Sequence, residues 1–131
     1  MIKNKYFPFF IIFIATLIFY LPIFINPKLF LNRNNDLQEF FWPLIYFVKN
    51  QIITNHQLPF WNNVFFGGTP LLPDPQSPLF YIPNVIFLIL PIGAGFIVSS
   101  LFHSILAGIG TYFASKDGFG LSKTASIFAA I

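Results

Sequence analysis

Two long, uncharged apolar runs flank a polar, proline-rich stretch of the chain. The runs cover residues 6–26 and 92–115. As α-helices they reach roughly 30 Å or more, enough to cross the hydrocarbon core of a bilayer. The first run exceeds the apolar core of a cleavable signal peptide and is followed by no small-residue cleavage site. We therefore predict two transmembrane helices, the first within residues 1–26 and the second at residues 92–115.

The stretch between the runs, residues 27–91, is predicted to be a structured loop outside the membrane. Apolar side chains recur at helical spacing in residues 40–53, which predicts an amphipathic helix in the plane of the interface, with Pro43 in its first turn. Residues 83–90 are apolar but reach only about 12 Å as a helix. This second segment is predicted to be interfacial or re-entrant and to end at Pro91.

A third apolar helix is predicted to begin near residue 121, with Ser122 as its N-cap. The residues from there to Ile131 reach about 16 Å, half of a bilayer. A helix that stops inside hydrocarbon leaves its last carbonyls without partners. We expect the chain to be the N-terminal part of a larger polytopic protein, with residues 116–131 forming a cytoplasmic turn and the start of a third transmembrane helix.

Composition places the chain among membrane proteins. It is 56% hydrophobic and 8% charged, with a mean hydropathy of +0.72, whereas a soluble domain carries about 25% charged residues. The predicted fold class is an all-α membrane protein, with transmembrane helices and a structured loop containing interfacial helices. The absence of cysteine excludes disulfides and thiolate metal sites, and the scattered net charge of +3 argues against nucleic acid as a partner.

Basic residues at the ends of the spans predict the orientation. Lys3 and Lys5 precede the first span, whereas Lys116 and Lys123 follow the second. Because positive charge favours the cytoplasmic side, we predict a multi-pass protein of the cytoplasmic membrane with a cytoplasmic N-terminus and an extracytoplasmic first loop. Three basic residues of the loop weaken this bias without reversing it: Lys28, Arg33 and Lys49.

Residues 56–83 of the loop combine turn-forming residues with aromatic side chains. Proline fixes φ and glycine permits positive φ, so four dipeptides predict turns: Gly67-Gly68, Thr69-Pro70, Asp74-Pro75 and Ser77-Pro78. A flexible linker would be rich in glycine and serine instead. The segment is therefore predicted to be ordered, as expected of a site at a membrane surface.

Asp36 and Glu39, at the start of the predicted interfacial helix, are the candidate catalytic residues. A carboxylate here could act as a general base, with or without a divalent metal. Alternatively, Asp36 caps the helix and Glu39 completes the capping pair, which spacing alone favours. No cluster of metal ligands is evident, and a divalent metal has no support from the sequence.

The candidate substrate-binding residues have structural alternatives as well. Trp61 and Tyr81 could stack on a sugar ring or belong to the aromatic belt at lipid headgroups. An Asx turn explains Asp74, and an exposed loop position explains His56. In the second span, His103 is either a functional group or a helix-to-helix hydrogen-bond partner. The complete candidate set for substrate is Arg33, His56, Trp61, Asn62, Asp74 and Gln76.

Four motifs after the first span resemble YfhO-like bacterial polytopic membrane proteins, a family related to GT-C glycosyltransferases. The motifs are DLQEFFWP at residues 36–43, LPFWN at 58–62, FGGTP at 66–70 and DPQSPLFYIP at 74–83. The second span and the Gly-Leu-Ser sequence that begins the third helix also resemble that family. The resemblance covers nearly the whole chain.

This resemblance implies transfer of a sugar from a polyprenyl-phosphate-linked donor to a glycan or lipid-linked acceptor of the cell envelope. Enzymes of the superfamily carry an acidic residue just after the first span, where Asp36 stands, whereas Glu39 departs from the usual spacing of a second one. Arg33 and Lys49 are the local cations for the leaving phosphate. The implied partners are membrane lipid, donor and acceptor, with no cofactor evident and with activity expected of the full-length protein rather than of these residues alone.

A non-enzymatic polytopic transporter or scaffold is the alternative function. Transporters typically show internal repeats and broken helices at mid-membrane. No repeat is visible in the sequence, and the polar residues cluster in the loop rather than within the spans. The pattern favours the enzyme.

Overall fold

The computed structural model describes residues 5–29 and 35–131, which are mostly helical. In chain order the elements are α1 (Phe7–Ile25), α2 (Trp42–Ile53), β1 (Trp61–Asn62), β2 (Thr69–Pro70), α3 (Ile86–Ile89), α4 (Ile92–Phe113) and α5 (Lys123–Ala129). Short 3-10 turns form at Pro27–Leu29 and Ile82–Val85, and π-helical turns at Leu37–Phe41 and Ala114–Gly118. The chain divides into a central unit, residues 28–99, and a terminal unit, residues 1–27 and 100–131.

Helices are present at both predicted spans. In α1, Pro8 lies in the first turn, where its missing N–H needs no partner, and Pro22 lies inside the helix. Helix α4 continues through the following π turn to Gly118. By length and composition, both helices are able to cross a membrane.

In the terminal unit the helices approach one another closely at a glycine. A Cβ atom placed on Gly108 would lie 2.7 Å from the Cγ2 of Ile12 and 3.0 Å from the carbonyl oxygen of Ala130. Within the same unit, the hydroxyls of Tyr20 and Ser104 share a hydrogen bond of 3.0 Å. Small residues at contacts between apolar helices are the packing expected in lipid.

In the central unit, α2 buries side chains in two hydrophobic clusters. The first contains Ile45, Phe87, Ile92 and Phe96, and the second contains Leu44, Val48 and Leu71. An interfacial helix would place this apolar face in lipid. Here Leu44 is 0% exposed and Val48 is 7% exposed, because other segments of the unit cover them. The helix stands where the sequence predicts it, with Pro43 at its start, but its apolar face is covered by protein.

A short antiparallel ladder is a departure from the sequence-based prediction. Trp61 pairs with Pro70 and Asn62 pairs with Thr69, so Thr69-Pro70 is a strand rather than a turn. The turn is made at the preceding pair, Gly67-Gly68, with φ of 73° and 116°. Proline cannot donate to a ladder, which confines it to strand edges, and the next amide, Leu71 N–H, donates to Phe60 at 2.8 Å.

Candidate functional site

Asp36 lies at the start of the π turn that leads into α2. Its φ and ψ are −59° and −27°, which is helical, and its side chain makes no capping hydrogen bond. The side chain that caps this turn is Asn35, whose Oδ1 accepts a hydrogen bond from the Gln38 N–H at 3.0 Å. The interpretation of Asp36 as the cap is therefore wrong. An N-cap residue has non-helical backbone angles, and the chain reaches helical geometry one residue earlier than spacing predicts.

Glu39 lies in the same π turn, three residues after Asp36. Both side chains are exposed. The carbonyl oxygen of Asn35 accepts from the backbone N–H groups of Gln38 and Glu39, at 3.1 Å each. These bonds fix the backbone of the turn without using either carboxylate. The turn thus presents two exposed carboxylates on a hydrogen-bonded backbone.

Turn formation accounts for two candidate substrate-binding residues. Asp74 accepts the Gln76 N–H on its Oδ1 at 2.8 Å, which confirms the Asx-turn interpretation. Asn62 is 2% exposed, and its Oδ1 accepts the Val64 N–H at 2.8 Å. Both side chains shape the loop in this structure. Their roles in substrate binding stay predictions.

Two further loop candidates, His56 and Trp61, are exposed. His56 is exposed and has a left-handed φ of 54°. Trp61 is 57% exposed, and one edge of its ring covers Gly68, where an added Cβ would lie 2.6 Å from the indole nitrogen. Glycine is therefore needed at position 68 both for its φ and for this close approach. The last loop candidate, Arg33, lies outside the described residues, as does Lys3.

Lys49 has a specific position that the sequence does not indicate. Its side chain is half-buried, and its Nζ donates to the carbonyl oxygen of Leu90 at 2.7 Å. These residues are 41 positions apart, so no local pattern predicts the contact. Leu90 is the C-cap of α3. The bond brings a cation of α2 to the C-terminal end of α3.

Two adjoining cavities lie within the central unit beside α2. An apolar groove of about 470 Å³ has walls from α2 and from residues 78–88, and includes Lys49. A second pocket of about 360 Å³ is lined mostly by apolar residues but includes Gln76, Ser77 and Ser99, after which we name it the polar pocket. Five residues line both cavities: Ile45, Pro78, Tyr81, Asn84 and Phe87. Of the predicted substrate-binding residues described, Gln76 lines the polar pocket.

Asn84 in this shared wall was not among the predicted site residues, and Tyr81 was considered only as a side chain that could stack on a sugar ring. The Nδ2 of Asn84 donates to the carbonyl oxygen of Pro78 at 3.0 Å, which folds residues 78–84 back on themselves. A Pro-rich segment that carries an Asn and a Tyr was the available signal, but such segments are common in turns. Their position at a cavity depends on contacts with α2, which lies far away in sequence.

The remaining ionisable candidate, His103, belongs to α4 in the terminal unit. Its ring meets the ring of Phe102 edge to face, with centroids 5.2 Å apart. Within residues 5–29 and 35–131, no group of three His, Asp or Glu side chains is arranged to hold a metal ion.

Comparison with known proteins adds no neighbour to this chain. No protein-family model, curated protein or solved structure matches it. The resemblance to YfhO-like proteins therefore stays a prediction, and the proposed function is based on the residues of the site.

Proposed function

We propose that the protein is a multi-pass enzyme of the cytoplasmic membrane that transfers a sugar from a polyprenyl-phosphate-linked donor to a glycan or lipid-linked acceptor of the cell envelope. Helices α1 and α4 are its membrane spans, the N-terminus is cytoplasmic, and residues 27–91 are extracytoplasmic. The membrane assignment is supported by α1, which has a mean hydropathy of 2.5 with 17% of its residues buried. The core helix of a soluble protein would be mostly buried.

The observation that carries the proposed chemistry is the state of Asp36. Its carboxylate is exposed and is not used as a helix cap, because Asn35 performs that task. Within residues 5–29 and 35–131 no hydrogen bond or ion pair engages this carboxylate, which leaves it able to accept a proton from a bound acceptor. Glu39, exposed in the same turn, is the second candidate.

In the proposed reaction, the acceptor hydroxyl oxygen attacks the anomeric carbon of the donor sugar. Its proton passes to Asp36 as the new C–O bond forms. The bond between the anomeric carbon and the phosphate oxygen breaks, and the lipid phosphate leaves with the electron pair. Cations stabilise that leaving charge, and Arg33 and Lys49 are the basic residues of the loop suited to this role. A single displacement inverts the anomeric centre.

The test is sugar transfer by Asp36→Asn, introduced into the chromosomal gene so that the protein keeps its natural length. Membrane vesicles receive a radiolabelled polyprenyl-phosphate hexose, and label in the envelope acceptor is counted per amount of folded protein. Asn preserves size but removes the proton acceptor, so transfer is expected to fall by about 10²-fold or more. Glu39→Gln, in the same turn, is the matched control and is expected to retain most activity.

The opposite pattern would reassign the base. Full transfer by the Asp36→Asn variant together with loss in the Glu39→Gln variant would place the base at Glu39. Full transfer by both variants would remove this turn from the chemistry. A third variant, Asn35→Ala, removes the cap and is expected to cost about 1 kcal/mol of stability while transfer per folded molecule is unchanged. That variant separates damage to the turn from loss of the base.

A further inference from the structure

The apolar groove of the central unit contains a cation in an otherwise uncharged lining. Within residues 5–29 and 35–131, Lys49 is the one charged residue of its lining, and no acidic residue lines it. The groove volume of about 470 Å³ lies within the range of small-ligand sites. A half-buried ammonium in apolar surroundings is costly unless a partner compensates the charge. The groove therefore has the electrostatic character of a site for an anion that carries an apolar body.

The C-terminal end of α3 by itself favours the contact between Lys49 and the Leu90 carbonyl. A cation near the C-terminus of a helix is stabilising by about 0.3–1 kcal/mol, and α3 ends at this carbonyl. However, the bond uses one of the three N–H donors of the ammonium. Within residues 5–29 and 35–131 no second hydrogen bond of this ammonium is found, so two of its N–H donors are able to reach a further partner. The helix end therefore stabilises the cation without using its full capacity to donate.

Exposed apolar side chains continue the groove lining outward. Four residues in or next to its wall expose most of their surface: Phe80 at 70%, Ile82 at 84%, Val85 at 55% and Ile89 at 72%. A cluster of this kind marks a contact with lipid or with another apolar partner. A hydrocarbon chain could thus pass from a bilayer into the groove while staying in apolar contact.

The shared wall connects this groove to the polar pocket. Ile45 lines both cavities and lies one helical turn before Lys49 on the same face of α2. Tyr81 and Asn84 line both as well. A molecule with a hydrocarbon chain, a phosphate and a polar head could place these three parts in the groove, at Lys49 and in the polar pocket respectively.

We propose that the apolar groove binds the hydrocarbon chain of a lipid phosphate, with the phosphate held by Lys49 and the polar head directed into the pocket lined by Gln76 and Ser99. This inference rests on the proposed function, since it names where the donor of that reaction binds. It assigns the phosphate to Lys49 rather than to Arg33. The occupant is a lipid-borne phosphate and not free inorganic phosphate, because most of the lining is apolar.

The test is photo-crosslinking of a long-chain isoprenyl monophosphate that carries a diazirine in its chain. The natural-length protein in its own membranes is labelled, and the labelled peptide is identified by mass spectrometry. Label is expected in residues 45–58 or 78–88, which line the groove. Competition is expected from the unlabelled lipid phosphate, and not from the corresponding isoprenyl alcohol or from inorganic phosphate.

Lys49→Gln is the diagnostic variant, since the amide can still donate to Leu90 while the charge is lost. Loss of a charge-assisted contact is expected to lower labelling about tenfold, and Lys49→Arg should preserve it. The matched control is Lys116→Gln, which removes an exposed lysine of the terminal unit and should label normally. Val85→Trp fills the groove from an exposed position and should block labelling with Lys49 intact.

The proposal would be overturned by unchanged labelling of Lys49→Gln, by equal competition from the alcohol, or by label outside the groove. Competition by inorganic phosphate at the same concentration would likewise overturn it, in favour of a free-phosphate site. Because crosslinking measures binding and not transfer, Asp36→Asn should still label. If Asp36→Asn is labelled normally and still transfers sugar fully, the proposed base is refuted and the groove is not. If the natural-length protein is not labelled and Asp36→Asn fails to transfer sugar, the groove is refuted and the base is not.

Discussion

The central and terminal units are both apolar, yet they are held together differently. The central unit buries large side chains in two clusters around α2 and fixes its loop with turns that use Asn62 and Asp74. The terminal unit buries few residues of α1, exposes others such as Phe19 at 76% and Ile25 at 77%, and brings backbone close to side chain at Gly108. The first pattern is that of a protein in water, and the second is that of helices in lipid.

Because the two units are stabilised differently, different substitutions are expected to destabilise them most. A unit stabilised by burial loses most when a buried side chain is truncated, because a cavity remains. A unit stabilised by close helix contact loses most when a small residue is enlarged. A truncation in the central unit and an enlargement in the terminal unit test these two expectations.

The larger effect is expected in the central unit, from Leu71→Ala. Leu71 is 0% exposed and belongs to the cluster with Leu44 and Val48. Its truncation should lower the free energy of unfolding by about 2–5 kcal/mol, measured in detergent by loss of protection against proteolysis. The neighbouring Leu72 is 48% exposed, and Leu72→Ala should cost far less. Equal costs for the two variants would show that this cluster does not hold the unit.

The smaller effect is expected in the terminal unit, from Gly108→Ala. The added methyl would meet both Ile12 and the Ala130 carbonyl, and the backbone partner cannot rotate away. Overpacking of this kind costs about 1–3 kcal/mol. Gly110→Ala is the control on the same helix, with nothing within 4 Å of its added Cβ. There the gain in helix propensity should stabilise by about 0.5–1 kcal/mol. If Gly108→Ala and Gly110→Ala change the free energy of unfolding in the same direction, close packing at Gly108 would be contradicted.

Elements governed by local chemistry were predictable from the sequence. The first apolar run gave α1 to within one residue at each end. Ser122 caps α5 as predicted, with its Oγ accepting the Ala125 N–H at 3.2 Å. The Asx turn at Asp74 followed from an Asp-Pro pair. Each depends on residues within a few positions of one another.

Features governed by distant contacts were not predictable. Strands of two residues have no period to detect, and Pro70 favoured a turn over a strand. The contact of Lys49 with Leu90, and the wall that Tyr81 and Asn84 share, depend on how residues 78–90 pack on α2. The cap was misassigned because Asn35 and Asp36 both suit that position, and only the backbone angles distinguish them.

The contrast between the two units depends on one proposal, that residues 28–91, the part of the central unit before α4, form a folded loop outside the membrane. Because residues 1–131 contain no cysteine, a thiol introduced there is the single one in this part of the protein. Asn63 and Lys116 are exposed, and Leu71 is buried. The variants Asn63→Cys, Lys116→Cys and Leu71→Cys therefore report on the proposed outer loop, the proposed cytoplasmic turn and the core of the central unit.

The most direct measurement is labelling of these three variants in intact cells with a membrane-impermeant thiol reagent. Asn63→Cys is expected to react at once, Lys116→Cys only after permeabilisation, and Leu71→Cys only after unfolding. Reaction of Lys116→Cys but not Asn63→Cys in intact cells would invert the topology. Reaction of Leu71→Cys as fast as Asn63→Cys would show that the central unit is not folded as described, and either result would contradict the account.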